Sequence, residues 1–373
     1  MNEQVIIKCD NDYLELQQYL KRLGCSRILL VCGSSIDKLK VGDFFKNAES
    51  KTGLSVFRFS GFKPNPDYLS VVDGVRFYLE NECEAVVAVG GGSAMDVAKC
   101  IKLFATMDHL KSYLEQTIVP NDIPFIAVPT TAGTGSEATR FAVIYKDGEK
   151  QSVSDYSSIP EAVMFDPDVL RNVPEYHKKA AMLDAFCHAV ESYWSVNSTD
   201  ESKNYAMEAI KLLVANMDAY LSGDHSVDEK IMLAANLAGK AINITQTTAG
   251  HAMCYKLTTL FGLAHGHSAM LCVRKLYPWM AEHLDQCIDP RGDDYLRQTL
   301  TDIAAMLGCE EIDEASGRIN EIFEKLDLEV PKPTKDQYDI LVNGVNVERL
   351  KNHPVRLEKE DIEKLYHEIL GDM

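Results

Sequence analysis

The feature that most constrains the fold is a pair of short apolar segments that each run directly into a loop of small residues. Residues 85–89 (AVVAV) precede GGGS at 90–93, and residues 125–128 (FIAV) precede PTTAGTGSE at 129–137. A continuous apolar run of this length is typical of a strand that is buried on both faces of a parallel sheet. A helical segment over 94–105 follows the first loop, so the pattern predicts a parallel α/β fold.

The two halves of the chain differ in their predicted elements. Besides those above, we predict strands at 27–32 and 54–59 and helices at 68–81, 176–193, 203–220, 227–242, 293–307 and 360–370. Three prolines crowd the junction between residues 160 and 174. We therefore predict an α/β domain over residues 1–174 and an all-α domain over residues 175–373.

The net charge of the 373-residue chain argues against several classes of partner. Lys and Arg number 38 and Asp and Glu number 56, which gives a net charge of −18. Nucleic-acid binders and proteins that lie on anionic membranes depend on cationic surfaces. No apolar run reaches the ~20 residues of a membrane helix, and the first ten residues carry no signal-peptide core. The ten cysteines form no C-x-x-C pair, so we expect them to be free thiols in a cytoplasmic protein. From the charge and the absence of a long apolar run, we expect binding to neither nucleic acid nor membrane.

Both small-residue loops have the composition of a phosphate-binding site. Glycine lets the backbone approach a phosphate closely, and the start of the following helix presents free N–H groups and the positive end of its dipole. In an α/β sheet such loops lie at the carboxyl ends of strands, where ligands bind. Each loop alone is also compatible with a tight turn or a helix cap, and neither is the G-x-G-x-x-G fingerprint. Together they favour a dinucleotide site.

Four residues in the helical half have the chemistry of a metal site. Asp184 and His188 are four residues apart, so on a helix they share one face. His251 and His265 each adjoin a glycine. One carboxylate and three imidazoles suit Fe(II) or Zn(II) rather than Mg or Ca. A structural Asp–His pair is the alternative, His267 is open to either interpretation, and the remaining histidines are taken as surface or structural residues.

Five segments occur in an order and spacing that resemble a known family. They are GGGSAMDVAK, PTTAGTGSEAT, DPDVLRNVP, DAFCHAVESY and the GH…AHGH segment. The combination resembles the iron-containing (group III) alcohol dehydrogenases, which are related to glycerol dehydrogenase and dehydroquinate synthase. The resemblance covers nearly the whole chain. It implies an N-terminal dinucleotide-binding α/β domain with a parallel sheet, an all-α C-terminal domain and a metal in the cleft between them.

The resemblance also assigns roles to single positions. The metal ligands would be Asp184, His188, His251 and His265. The residues that would contact NAD(P)H are Gly91, Gly92, Ser93 and Asp96 at the pyrophosphate and nicotinamide ribose, Thr130, Thr131 and Thr134 along the nucleotide, and Lys150 near the ribose. The donor set leaves open whether iron or zinc is loaded.

Two positions depart from the family's pattern. Many members carry a further histidine four residues after the third metal ligand, where this chain has Tyr255. A phenol is a poor base at neutral pH, with an ordinary pKa of about 10, so the catalytic proton is expected to pass through Tyr255, His267 or a water chain. Members that prefer NAD often have an aspartate after the first strand, where Gly33 and Ser34 stand here. Loss of that carboxylate removes repulsion against a 2′-phosphate, so we expect NADPH to be accepted at least as well as NADH.

Two segments are similar to the branch of this family that reduces phosphonoacetaldehyde. They are residues 247–271 and 345–355. Arg140 and Lys256 would supply the cations that a phosphonate dianion requires, although ordinary salt bridges are the alternative role for both.

The residues and the resemblance together predict an enzyme. We expect a metal-dependent, NAD(P)H-linked oxidoreductase that reduces an aldehyde to a primary alcohol, foremost phosphonoacetaldehyde to 2-hydroxyethylphosphonate. A short-chain alcohol or diol dehydrogenase of the same family is the alternative within the class. A catalytically inactive nucleotide- or metal-binding module is the alternative outside it. A homodimer is the default expectation for the assembly.

Overall fold

The computed structural model describes residues 4–345 and 347–371. The chain divides into two compact units, Met1–Val173 and Pro174–Met373. The first is an α/β unit and the second is helical, so the predicted fold class is confirmed. Within the described residues, no helix is long and apolar enough to cross a membrane.

The first unit is built on a six-stranded parallel sheet. Its strands and those of a separate hairpin are β1 (Val5–Ile7), β2 (Arg27–Cys32), β3 (Ser55–Phe59), β4 (Ala85–Gly90), β5 (Phe125–Pro129), β6 (Phe141–Lys146), β7 (Glu149–Ser154) and β8 (Ala162–Met164). The order in the sheet is β1-β8-β5-β4-β2-β3, and β6 and β7 pair antiparallel outside it. Strands β2, β4 and β5 are buried almost throughout because both faces of the sheet are covered, which explains their uninterrupted apolar sequence.

The strand order creates a crevice at the ends of β2 and β4. These two strands are neighbours in register, with Cys32 opposite Val89. The chain leaves β2 towards β3 on one side and leaves β4 towards β5 on the other. In open α/β sheets, ligands bind at the carboxyl ends of strands at such a switch point. The fold therefore brings the loop at Gly33 and the loop at Gly91 to the same edge of the sheet.

In the described part of the first unit, five α-helices accompany this sheet. They are α1 (Leu14–Arg22), α2 (Lys40–Lys46), α3 (Ala48–Thr52), α4 (Tyr68–Glu80) and α5 (Gly92–Phe104). Helix α5 begins immediately after β4, and its residues from Val97 to Phe104 are all buried. Asp67 caps α4 by accepting a hydrogen bond from the Ser70 backbone amide at 2.6 Å.

The second unit is an assembly of helices around a buried central one. Its helices are α6 (Glu175–Trp194), α7 (Asp200–Leu221), α8 (Asp228–Thr245), α9 (Ala249–Phe261), α10 (His265–Glu282), α11 (Asp293–Met306), α12 (Ile312–Glu324), α13 (Lys335–Asn343), α14 (Val347–Leu350) and α15 (Lys359–Leu370). Helix α6 packs against α7, α8 and α10, and its residues from Met182 to Trp194 are all buried. Gly262 follows the last residue of α9 and has a φ of +68°. Glycine adopts this left-handed conformation without strain and commonly terminates helices.

Candidate metal and cofactor sites

Three of the predicted metal ligands converge in the core of the helical unit. Asp184 and His188 come from one face of α6, and His251 comes from the first turn of α9. Their ligand atoms all lie within 4.8 Å of one another, and all three side chains are buried. The imidazole rings of His188 and His251 stack with centroids 4.5 Å apart.

The unsatisfied atoms of this cluster fit a bound cation. Asp184 Oδ1 and His251 Nε2 are buried, lie 3.5 Å apart and make no hydrogen bond within the described part of the chain. Buried polar atoms are otherwise almost always paired. Two ligands of a tetrahedral metal with bonds near 2.1 Å lie about 3.4 Å apart, which matches this separation. The donor set of a carboxylate and imidazoles is that of iron or zinc sites.

His265 lies at the edge of the cluster rather than inside it. It is the first residue of α10, and its ring centroid is 5.1 Å from that of His251. Its Nδ1 atom is 3.7 Å from Cys254 Sγ. Burial raises the pKa of Asp184, but the charges of His188, His265 and His251 outweigh burial and hold that pKa well below its usual range. All four predicted ligands are thus near neighbours, with His265 the least buried of them.

Glu191 fixes the orientation of His251. Its carboxylate pairs with His251 Nδ1 and also accepts hydrogen bonds from the amide (3.0 Å) and hydroxyl (2.7 Å) of Thr248. Burial raises the pKa of Glu191, but these contacts, led by the charge of His251, outweigh it and bring the pKa to about 2. The carboxylate therefore holds a proton on Nδ1, and the ring turns its Nε2 atom towards Asp184.

The glycines beside the metal-site histidines let the helices approach closely. A Cβ atom at Gly266 would lie 2.1 Å from the Ala180 carbonyl oxygen and 2.6 Å from Asp184 Cβ. A Cβ atom at Gly250 would lie 2.6 Å from a methyl group of Val273 and 3.0 Å from the Glu191 carboxylate. Glycine is therefore required where α9 and α10 pack on α6.

The two residues predicted to carry the catalytic proton lie in different surroundings. The Tyr255 ring stacks on the His265 ring, with centroids 5.5 Å apart, and burial raises the pKa of its hydroxyl. His267 lies two residues after His265, and its Nδ1 is 3.2 Å from the hydroxyl of Tyr176. Tyr255 therefore contacts a predicted metal ligand. The contacts of His267 are with Tyr176, Phe323 and the backbone of Glu329.

The two small-residue loops of the first unit contact each other. A Cβ atom at Gly91 would lie 3.2 Å from Thr131 Oγ1, and one at Gly92 would lie 3.3 Å from Thr134 Cγ2. The Thr130 amide donates to the Gly90 carbonyl at 3.0 Å. The two loops therefore pack closely around the start of α5, where free backbone N–H groups at the helix N-terminus could bind a phosphate group.

Asp96 and Lys99 tie α5 to the second loop. Ser136 Oγ donates to Asp96 Oδ1 at 3.1 Å, and Lys99 Nζ donates to Ser136 Oγ at 3.1 Å and to the Phe141 carbonyl at 2.7 Å. Burial raises the pKa of Asp96, while Lys99 and Lys150 oppose the shift through their charges. Lys150 lies on strand β7 of the hairpin, near enough to Asp96 for its charge to act on that carboxyl group. Ser93, another predicted cofactor-binding residue, is the second residue of α5.

Gly33 and Ser34 lie at the exposed end of β2 beside an arginine. Arg58 Nη2 donates to the Gly33 carbonyl at 3.3 Å. The same guanidinium pairs with both oxygens of Asp37 at 2.7 and 3.1 Å. A cation therefore stands at the predicted ribose end, but an aspartate of the same loop already neutralises it.

The two residues predicted to bind phosphonate are placed in different units. The Arg140 guanidinium carbon lies 4.4 Å from the ring centroid of Phe141 and 4.8 Å from that of Tyr156. Lys256 is exposed on α9, about 140° around the helix from His251. Its side chain packs against Gly344. A Cβ atom added at Gly344 would lie only 2.5 Å from Lys256 Cγ. The structure thus directs Lys256 away from the metal cluster and towards the end of α13.

Two further residues that contact predicted site residues lie within segments quoted above without being named there. Glu191 follows His188 by three residues, so the helical repeat that joins Asp184 and His188 also reaches it. Arg349, on α14, lies with its guanidinium carbon 5.3 Å from the centroid of the Tyr255 ring. No local pattern predicts this second contact, because it joins residues far apart in the chain.

A buried carboxylate–imidazole cluster on helices, together with paired glycine loops on a parallel sheet, defines a metal-dependent, dinucleotide-linked oxidoreductase. The chain belongs to the iron-containing alcohol dehydrogenase family. Residues 4–167 match the family model described as iron-containing alcohol dehydrogenase, and residues 178–370 match that of the C-terminal domain of the Fe-containing alcohol dehydrogenase family. Membership implies the activity of an alcohol dehydrogenase or aldehyde reductase with iron and NAD(H) as cofactors.

Relatives and solved structures agree with this assignment. A phosphonoacetaldehyde reductase of Streptomyces viridochromogenes is 30% identical over 307 residues, which is 76% of each chain. Long-chain-alcohol dehydrogenase 1 of Geobacillus thermodenitrificans is 29% identical over 94% of this chain and 91% of its own. The structure of an iron-containing alcohol dehydrogenase from Thermotoga maritima superposes with a TM-score of 0.83 at 28% identity, covering 100% of this chain and 99% of the other. The NAD+ complex of sulfoacetaldehyde reductase from Bifidobacterium kashiwanohense shares the fold with a TM-score of 0.88 at 24% identity, covering 99% and 98%.

Proposed function

We propose that the protein reduces phosphonoacetaldehyde to 2-hydroxyethylphosphonate with NAD(P)H. The main support for a metal-dependent reaction is the cluster of predicted metal ligands. In it, Asp184 Oδ1 and His251 Nε2 are buried and have no hydrogen-bond partner among the described residues. The substrate is supported by the 30% identity to a phosphonoacetaldehyde reductase. The predicted cytoplasmic location and homodimer remain predictions from the sequence.

In this proposal the chain's own residues hold and orient the reacting groups. Asp184, His188, His251 and His265 would bind the divalent metal, which when bound supplies a Lewis acid to the carbonyl oxygen. Glu191 keeps the His251 ring oriented for metal binding, because its carboxylate accepts a hydrogen bond from the protonated Nδ1 of that ring. The loops around Gly91 and Thr131 and the start of α5 would hold the cofactor pyrophosphate. When bound there, the cofactor would supply the hydride from its nicotinamide.

The proton that completes the alcohol has three candidate routes, which are Tyr255, His267 and a water chain. We favour Tyr255 Oη as the hydrogen-bond donor at the developing alcohol, because its ring contacts His265. Burial raises the pKa of the Tyr255 hydroxyl, so the group stays protonated at neutral pH. His267 is retained as the second donor, with Tyr176 as its hydrogen-bond partner.

The cofactor preference follows from the end of β2. Gly33 and Ser34 carry no carboxylate that would repel a 2′-phosphate, so we propose that NADPH is accepted alongside NADH. Arg140, whose guanidinium lies over the rings of Phe141 and Tyr156, is retained as a candidate for the substrate anion.

A second candidate function is the oxidation or reduction of neutral short-chain alcohols or diols. A 1,3-propanediol dehydrogenase of Citrobacter freundii is 33% identical over 254 residues, 66% of each chain. This identity is slightly higher than that of the phosphonoacetaldehyde reductase, although it spans a shorter segment.

A panel of aldehydes separates the two candidates. Phosphonoacetaldehyde, propanal and 3-hydroxypropanal would be compared as substrates of the metal-loaded enzyme, with NADH and NADPH oxidation followed optically. We expect kcat/KM for phosphonoacetaldehyde to exceed that for the neutral aldehydes by at least about tenfold, or ~1.4 kcal/mol of transition-state binding. Faster turnover of the neutral aldehydes would transfer the function to the second candidate. Retained binding of metal or cofactor without turnover of any aldehyde would indicate a catalytically inactive binding module.

A further inference from the structure

Arg349 places a guanidinium against the ring of Tyr255, which itself contacts a predicted metal ligand. Its Cζ atom lies 5.3 Å from the centroid of the Tyr255 ring. The same ring stacks on that of His265 at 5.5 Å, with the two planes inclined by 24°. One aromatic side chain therefore separates this cation from a predicted metal ligand.

The charge of Arg349 has no carboxylate partner within residues 4–345 and 347–371. Its partners there are the ring of Tyr255 and the hydroxyl of Thr247, both of which are neutral. The side chain is half-buried, and a partly desolvated charge is normally compensated by an opposite one. Arg291 in the same unit shows that usual pattern, since Asp289 lies 2.7 Å from it. A half-buried guanidinium without a carboxylate partner could be compensated by a bound anion.

The contacts of Arg349 also fix its direction. Nη1 donates to Thr247 Oγ1 at 2.5 Å, and Thr247 is itself buried. The Thr247 carbonyl accepts a hydrogen bond from Asn352 Nδ2 at 3.2 Å, so two bonds join the segment before α9 to the segment around α14. The preceding residue, Gln246, has φ +59° and ψ −179°, a conformation that non-glycine residues rarely adopt unless neighbouring contacts maintain it. The arginine is thus held in place rather than free to sample solvent.

The chemistry of a held guanidinium suits a tetrahedral oxyanion. Arginine has five N–H donors in a planar fork, and Thr247 occupies one of them. The others match two oxygens of a phosphonate or sulfonate in a bidentate contact. We propose that Arg349 binds the anionic end of the aldehyde substrate and sets the preference for a charged over a neutral one. This inference rests on the proposed function and assigns to Arg349 the role that the sequence predicted for Lys256.

The direct test is binding of an unreactive anion to the protein. Ethylphosphonate has the anionic group but no carbonyl, so its affinity for the metal-loaded enzyme with bound NAD+ can be measured by calorimetry without turnover. Three variants are compared with the unmodified protein: Arg349→Gln, Arg349→Lys and, as the matched control, Lys351→Gln. Lys351 is a cation two residues away that is 70% exposed and pairs with Glu348. Ethanesulfonate serves as a second anion of similar shape and lower charge.

We expect Arg349→Gln to weaken ethylphosphonate binding at least about tenfold, Arg349→Lys to weaken it less, and Lys351→Gln to change it less than twofold. The ratio of kcat/KM for phosphonoacetaldehyde to that for propanal should fall at least about tenfold in Arg349→Gln. Metal content and melting temperature are measured on every variant, and Arg349→Lys decides the matter if Arg349→Gln does not fold.

Unchanged ethylphosphonate affinity in Arg349→Gln, or no binding to the unmodified enzyme, would overturn the inference. An equal loss in Lys351→Gln would also overturn it, because it would point to general surface charge. Failure of the proposed function has a different result: ethylphosphonate binds through Arg349, yet propanal is reduced faster than phosphonoacetaldehyde. That result would remove the proposed substrate and leave the anion site in place.

Discussion

Glu191 and His251 form a buried carboxylate–imidazole pair that connects α6 to α9, with the proton on Nδ1 and Nε2 turned towards Asp184. Such a pair orients a metal ligand and raises its basicity, and loss of the outer partner typically lowers metal affinity about 10- to 100-fold. We therefore expect Glu191→Gln to weaken metal binding by that factor. Competition with a chelator on the purified protein measures it.

The control for this substitution is on the same helix. Glu175→Gln removes an exposed carboxylate whose partner is Lys179, far from the cluster. We expect it to leave metal affinity unchanged. Equal affinities for Glu191→Gln and the unmodified protein would show that Glu191 serves packing alone.

Gly266 should tolerate no side chain. A Cβ atom there would come within 2.1 Å of the Ala180 carbonyl oxygen, so Gly266→Ala must push α10 away from α6. We expect a loss of more than about 3 kcal/mol in the free energy of unfolding, together with loss of metal. The matched control is Gly317→Ala, within α12, where nothing lies within 4 Å and the change should stabilise by up to about 1 kcal/mol. Denaturant unfolding of both variants measures the difference, and similar stabilities would contradict the close packing.

His353 should make stability depend on pH. It is fully buried against Trp194, and neither ring nitrogen has a hydrogen-bond partner in the part of the chain that the structure describes. Burial lowers the pKa of His353 to about 4, against an opposing effect of Glu191. Between pH 4 and the ordinary value of about 6.5, the unfolded chain therefore binds a proton that the folded chain does not. Stability should consequently fall as the pH falls through this window, by up to about 3 kcal/mol.

Urea unfolding of the metal-free protein at several pH values tests this dependence. His353→Leu should flatten the curve between pH 4 and 6.5, whereas His177→Leu, at an exposed position on α6, should not. A curve of the same slope in His353→Leu would assign the pH dependence to other groups.

Gly33 provides a test of cofactor choice. Nothing lies within 4 Å of a Cβ atom built at Gly33, and its φ of −81° is open to any residue. Gly33→Asp restores a carboxylate that repels the 2′-phosphate, so the ratio of kcat/KM for NADPH to that for NADH should fall at least about tenfold, ~1.4 kcal/mol. Gly33→Asn has the same size without the charge and should shift the ratio much less. Equal shifts in the two variants would mean that size rather than charge decides.

Strands with uninterrupted apolar sequences could be predicted, whereas short strands and helices interrupted by glycine could not. The strands at 27–32 and 85–89 match β2 and β4 within a residue, because both are buried on two faces and consist of apolar residues throughout. Strands β1 and β8 have only three residues each, which is too short for a pattern. Helices α9 and α10 escaped detection for another reason. Gly250 and Gly266 interrupt their sequence, Pro278 lies inside α10, and most of α10 is buried, so no polar face alternates with an apolar one.

The candidate site divides in the same way. Asp184 and His188 could be predicted to share a face because the helical repeat is local, and extending it by three residues reaches Glu191. Arg349 could not be assigned to the site, since its contact with Tyr255 depends on how α14 packs on α9. The sequence predicts a cation for the phosphonate at Lys256, but the position of this residue on α9, about 140° around the helix from His251, depends on where that helix begins.

The central claim is that Asp184, His188, His251 and His265 hold one divalent metal that the reaction requires. Elemental analysis of the purified protein, coupled to NADH oxidation with an aldehyde, tests it most directly. We expect about one metal per chain in the unmodified protein and in the His177→Ala control. His251→Ala and His265→Ala should contain much less metal and show correspondingly little turnover. Full metal occupancy and full turnover in either ligand variant would contradict the claim.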